Sequence, residues 1–139
     1  MKDKVCLVTG AARGLGEDIA RSFHRQGARL VLWDLDGEGA AKLAGELDGS
    51  GGGAPRALVQ RVDVTDEGQV QAAVDEAVAH FGRIDVLVNC AGIIKHGPID
   101  SMSLEAFESV LKVNLTGTFL ACRAVVPVMK KQGRGKIVN

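Results

Sequence analysis

Thr9-Gly10-Ala11-Ala12-Arg13-Gly14-Leu15-Gly16 concentrates three glycines in one short turn. The apolar run Val5-Cys6-Leu7-Val8 precedes it, and the amphipathic stretch Glu17 to Gln26 follows. A glycine-rich turn between a strand and a helix suits a phosphate. Glycine permits the tight turn and lets a pyrophosphate approach backbone without meeting a Cβ. Free N–H groups and the positive end of the helix dipole then hold the anion. Gly10, Arg13, Gly14, Leu15 and Gly16 are therefore the candidate pyrophosphate site.

Asp34-Leu35 follows a second apolar run, about 20 residues beyond that turn. A carboxylate there accepts hydrogen bonds from an adenosine ribose and repels a 2′-phosphate, which favours NAD over NADP. Asp36 reads as ordinary loop. Arg13 pulls the other way, since a guanidinium beside the turn can pair with a 2′-phosphate. It can equally face solvent or ribose, and Asp34 decides the assignment. Glu17 and Asp18 suit the helix dipole. Pointing outward they are harmless capping charges; pointing inward they would weaken anion binding.

Asp63-Val64 follows a third apolar run, where a loop could flank an adenine. Asn89-Cys90-Ala91-Gly92 follows a fourth, where small residues let backbone meet cofactor. Asn114 stands between Val113 and Leu115 in a long helical pattern, and an amide there needs a partner. It either bonds backbone and bends the helix, or holds a water at an active site. His24 and His80 read as surface residues near helix ends. Lys95-His96 follows the fourth strand's loop, where a histidine without a partner reads as solvated. Pro127 predicts a kink.

The elements that must position these residues alternate regularly. Strands are expected at Val5–Val8, Leu30–Trp33, Ala57–Val62, Ile84–Val88 and from Lys136 through Val138. Helices are expected from Gly14 to Gln26 with Gly27 as C-cap, over Glu38–Leu47, after an N-cap at Thr65, and from Leu104 to Lys131. Val70, Ala73, Val74, Ala77, Val78 and Phe81 recur at helical spacing. Asp48 to Gly53 reads as a surface loop. Alternation of this kind implies right-handed crossovers and an α/β, doubly wound parallel sheet of the Rossmann type. Its expected strand order is 3-2-1-4-5, with ligand at the carboxyl ends of the strands.

The 139 residues fit one domain, 46% hydrophobic and 24% charged. Seventeen basic residues balance seventeen acidic ones, with no basic face for a nucleic acid or a membrane surface. No secretory signal precedes the first strand, and no apolar run is expected to span a membrane. Cys6, Cys90 and Cys122 lie in apolar segments and read as reduced thiols of a cytoplasmic protein. No cysteine–histidine spacing suggests a metal. There is no tyrosine.

Taken together, these positions resemble the short-chain dehydrogenase/reductase family over the whole chain. TGAARGLG at Thr9–Gly16 is similar to the family's TGxxxGxG turn, Asp34 to its NAD-preferring acid, and Asp63-Val64 to its adenine-loop pair. NCAG at Asn89–Gly92 resembles its NNAG segment, Asn114 its catalytic-helix asparagine, and GKIVN at Gly135–Asn139 its fifth strand. The resemblance implies reversible hydride transfer between a nicotinamide and an alcohol or carbonyl substrate. It implies that backbone around Cys90 touches the cofactor, that Asn89 braces the sheet, and that Asn114 holds a relay water.

The family's serine, tyrosine and lysine, the last two in a YxxxK motif, have no counterpart in this chain. The expectation is therefore an incomplete domain, residues 1–139, of an NAD-dependent oxidoreductase, inactive alone. The alternative is a non-catalytic dinucleotide-binding module that needs a partner. An unpaired fifth strand and a long helix apolar at Leu104, Phe107, Leu111, Leu115 and Phe119 predict a homo-oligomer.

Overall fold

The computed structural model describes residues 1–49 and 56–139. Five parallel strands, β1 (Val5–Thr9), β2 (Arg29–Asp34), β3 (Ala57–Arg61), β4 (Val86–Asn89) and β5 (Lys136–Val138), form one sheet in the order β3-β2-β1-β4-β5. The helices are α1 (Gly14–Arg25), α2 (Gly37–Gly49), α3 (Glu67–Phe81), α4 (Leu104–Leu111) and α5 (Thr118–Gln132). This is the expected doubly wound, Rossmann-like arrangement.

Alternation along each strand sorts side chains between two cores. Val5, Leu7, Val31 and Trp33 pack with Val70, Val74, Leu120 and Val125 from α3 and α5. Cys6, Val8, Leu30 and Leu32 pack on the other face with Ala20 of α1 and Leu43 and Leu47 of α2. Every residue of central β1 is buried, which is why that strand carries no polar alternation.

Several boundaries differ from the sequence reading, each for a local reason. The cap of α3 is Asp66, whose carboxylate accepts the Gln69 N–H at 3.0 Å; Thr65 instead donates its hydroxyl to Asp63. Asp36 is no ordinary loop residue, because its carboxylate accepts the Gly39 N–H at 2.9 Å and caps α2. Asp48 and Gly49 continue α2; residues 50–53 of the expected loop lie outside the described residues. His24 is buried, not a surface residue, with Nε2 2.8 Å from the Arg56 guanidinium. Burial, then the Arg56 charge, lowers its pKa, outweighing the pull of Asp48. His80 and His96 are exposed.

The long helical pattern is one stretch, Leu104–Gln132, with a π-helical turn at Lys112–Gly117 between α4 and α5. The irregularity lies at Asn114, and Pro127 sits within α5. By length and composition alone this 29-residue stretch could cross a membrane, its most apolar 18-residue window having a mean hydropathy of 1.3. In α5 the apolar residues Leu120, Ala121, Ala124, Val125 and Met129 are buried within the fold.

At the opposite end of the sheet from the glycine turn, Asp85 anchors the start of β4. It accepts the Val5 N–H at 3.0 Å and is ion-paired with Arg83, Lys4 and Arg134. Burial pushes its carboxyl up, but the Arg83 and Val5 hydrogen bonds and the Arg83 and Lys4 charges prevail. The net effect holds it below the usual carboxylate range.

Candidate functional site

The glycine turn joins β1 to α1 because the chain must reverse against the sheet within a few residues. Gly10 takes φ +65°, and a Cβ there would stand 2.8 Å from the Ala91 backbone. Gly16 permits a different approach: a Cβ on it would lie 2.1 Å from the Gly10 carbonyl oxygen. Gly14 faces open space. Arg13 occupies the N-cap position of α1, and no side chain caps that helix, in contrast to α3 and α4. The first-turn N–H groups are thus left to another acceptor.

Polar contacts lock this turn to its neighbours. The Ala11 N–H donates to the Trp33 carbonyl at 3.1 Å, and the Ala12 N–H to the Asp34 carboxylate at 2.9 Å. The other Asp34 oxygen accepts the Asp36 N–H at 2.9 Å. Thr9 Oγ1 accepts the N–H groups of Cys90 and Ala91, at 3.1 and 3.0 Å, and clamps the loop after β4 beside the turn. Thr9 was not singled out as a functional residue in the sequence; its signal is a hydroxyl ending an otherwise apolar strand. Glu17 pairs with Arg21 along α1, and Asp18 is exposed.

A crevice of about 290 Å³ opens at the carboxyl ends of β1, β2, β3 and β4. Of the residues singled out in the sequence, Gly10, Arg13, Asp34, Leu35, Asp63, Val64, Cys90, Ala91 and Gly92 line it. Gly14, Leu15, Gly16, Asn89 and Asn114 do not. Leu15 is exposed, and Gly16 is buried under Gly10. The Asn89 amide donates to Asn139 Oδ1 at 2.7 Å and lies 3.4 Å from the Cys122 sulfur, linking β4 to α5 and the residue after β5. Trp33, Asp36, Val62, Ile93 and Val113 complete the lining. Trp33, Val62, Ile93 and Val113 are apolar and read as core, and Asp36 reads as loop.

Asn114 reaches out of its π-helical turn to Ile93. Its Oδ1 accepts the Ile93 N–H at 2.9 Å, and its Nδ2 donates to the Ile93 carbonyl at 3.0 Å. Both hydrogen-bonding ends of the amide are thus engaged with the backbone of the loop that borders the crevice. Single π turns inside α-helices are frequent at functional positions.

Cys90 is half-buried, and burial raises its thiol above the ordinary value. Cys6, in the core, is pushed up to about 12, first by burial and then by Asp85. Among the described residues, no group of His, Cys, Asp and Glu is arranged to hold a metal ion.

The family model for the short chain dehydrogenases matches residues 4–139. The chain belongs to this family. It is 48% identical over 136 residues to D-threitol dehydrogenase of Mycolicibacterium smegmatis, covering 98% of this chain and 51% of the relative. It is 47% identical over 137 residues to 3-alpha-(or 20-beta)-hydroxysteroid dehydrogenase of Mycobacterium tuberculosis, covering 98% and 50%. A Burkholderia xenovorans crystal structure with a provisional short-chain dehydrogenase/reductase name superimposes with TM-score 0.93 at 35% identity, covering 99% of this chain and 55% of that one. The chain thus spans about half the length of these short-chain dehydrogenase relatives.

The short-chain dehydrogenase family binds NAD(P), and the crevice fits such a dinucleotide. Three features suit it: an α1 N-terminus without a side-chain cap, close backbone approach at Gly10, and the Asp34 carboxylate in the lining.

Proposed function

We propose that residues 1–139 are the NAD-binding portion of a short-chain oxidoreductase that transfers hydride between a nicotinamide and an alcohol or carbonyl carbon. The observation carrying this reading is the Asp34 carboxylate in the crevice, held by the Ala12 and Asp36 N–H groups. Both bonds come from backbone donors and orient its oxygens. A fixed negative charge there accepts ribose hydroxyls and repels a 2′-phosphate, so NAD is preferred to NADP.

Gly10, Arg13, Gly14 and Leu15 would face the pyrophosphate, with Gly16 buried beneath to let the turn pack on α1; Leu35, Asp63 and Val64 would face the adenosine, and Cys90, Ala91 and Gly92 the middle of the cofactor, with Asn89 bracing β4. The bound nicotinamide would supply the hydride chemistry. Asn114 is the catalytic-helix residue, and its amide bonds to Ile93 fix the loop that closes the crevice. With no tyrosine in these residues, the family's acid/base group is missing from them. A second reading is a dinucleotide-binding module that does not turn over alone.

The apolar stripe Leu104, Phe107, Leu111, Leu115 and Phe119 is exposed along α4 and α5 and supports assembly into a homo-oligomer. Three free thiols suit a reducing cytoplasm. The deciding experiment is titration with NADH and NADPH, followed by assay on alcohols. Tighter binding of NADH supports the reading, and equal binding removes the NAD preference. Failure to bind either removes the cofactor assignment. Binding without turnover favours the module.

A further inference from the structure

Trp33 is the one tryptophan of the chain; it is wholly buried, yet it borders the crevice. A buried indole N–H needs an acceptor. It has one in Gln60, its register partner across β2 and β3, whose Oε1 accepts from Trp33 Nε1 at 2.8 Å. Gln60 is itself buried, and its Nε2 donates to the Ala73 carbonyl at 3.1 Å and to Glu76 Oε2 at 2.7 Å, both on α3. The indole can only donate, and the carbonyl and carboxylate can only accept. One orientation of the amide therefore satisfies all of them.

The network has a specific neighbour. The Trp33 carbonyl accepts the Ala11 N–H, and the next residue, Asp34, accepts the Ala12 N–H. Two successive donors of the glycine turn therefore hang on the end of β2, at the residue whose ring Gln60 holds. A strand wedged between two cores needs no amide for burial, and an apolar residue would fill the same space without three polar partners to satisfy.

We propose that Gln60 is a positioning residue for the adenosine end of the crevice, acting through Trp33 on the placement of Asp34 and the glycine turn. The inference rests on the dinucleotide reading given above. It concerns a residue that does not line the crevice.

The test compares the chain with its Gln60→Leu, Gln60→Glu and Gln60→Glu/Glu76→Gln variants, well below each unfolding midpoint. Calorimetry measures affinity for NADH and for ADP-ribose, and Trp33 emission reports its hydrogen bond. Gln60→Leu strips the indole of its acceptor. Its emission should shift to shorter wavelength, and affinity for both ligands should fall about tenfold, the size of one unsatisfied buried hydrogen bond. Gln60→Glu sets a carboxylate against Glu76 and should weaken binding; adding Glu76→Gln restores a donor–acceptor pair and should recover most of it. Should Gln60→Leu fail to fold, that rescue decides the matter.

Unchanged affinity in folded Gln60→Leu, or no recovery in the double variant, overturns the role of Gln60 and leaves the dinucleotide reading intact. Failure of the unmodified chain to bind either ligand overturns the dinucleotide reading and this inference with it.

Discussion

The Asp34 carboxylate accepts the backbone N–H of Ala12 at 2.9 Å, tying the end of β2 to the glycine turn after β1. The residue proposed to select the ribose also shapes the turn proposed to hold the pyrophosphate. Asp34→Ala removes both functions. Asp34→Asn can keep an acceptor for Ala12, but it loses the charge and the acceptor for the Asp36 N–H. Asp34→Ala should lower NADH affinity about tenfold or more, within the range of a hydrogen bond to a charged group. Asp34→Asn should lose less NADH affinity and gain most for NADPH. Fluorescence titration of both cofactors against both variants checks this. A parallel loss in the two variants would show that the bond to Ala12 adds nothing to binding.

Gly16 and Gly10 approach too closely for any side chain between them. Gly16→Ala forces a methyl to within 2.1 Å of the Gly10 oxygen and should destabilise the fold by about 3 kcal/mol or more, at the upper end of ordinary overpacking. Gly14→Ala meets no neighbour, and only its φ of +60° resists the change, at about 1–2 kcal/mol. Urea unfolding should rank the two in that order. The reverse ranking would mean that conformation outweighs packing in this turn.

Asn114 and Ile93 exchange a pair of hydrogen bonds between the π-helical turn and the loop after β4. Asn114→Ala should accelerate hydrogen exchange at the Ile93 amide and cost about 1 kcal/mol, because water reaches this exposed site and replaces part of what is lost. Asn114→Asp retains the acceptor for the Ile93 N–H and should protect that amide better than alanine does. Equal exchange in all three proteins would separate Asn114 from the ordering of the loop.

Two buried groups set the acid limb of stability, with the same sign. The Asp85 carboxyl is held below its unfolded value, so its contribution is full above about pH 4 and is lost as pH falls through the folded value. His24 is held below its unfolded value of about 6.5 by burial and by Arg56. The unfolded chain then binds the proton first, so stability is full above that pH and declines below it. Unfolding free energy measured from pH 8 to pH 3 should show both steps. His24→Gln should flatten the upper one and Asp85→Asn the lower. A His24 variant that keeps the decline just below about pH 6.5 would assign it to another group.

Much of the fold was legible because the determining forces are local and periodic. The short unbroken apolar runs at Val5–Val8 and Leu30–Trp33, bounded by turn residues, read as strands buried on both faces, and the glycine turn between the first of them and a helix marks the crevice end of the sheet. Local polar competition was less legible. Thr65 and Asp66 both suit a cap, and only the backbone path shows that Asp66 meets the Gln69 N–H while Thr65 turns to Asp63. His24 reads as a surface residue on α1, because nothing in the sequence brings Arg56 beside it.

Residue type and spacing by themselves determined the alternation of strands and helices, the glycine turn that marks the crevice and the acid after the second strand. Each follows from burial patterns and turn chemistry within about 30 residues of chain. Tertiary structure alone decided which atoms meet. Asn114 pairs with Ile93, Thr9 with Cys90 and Ala91, and Gln60 with Trp33 and α3. Such pairings join residues far apart in the chain, and the parallel crossovers that align them fix their geometry to within a hydrogen bond's length. No local propensity carries that information.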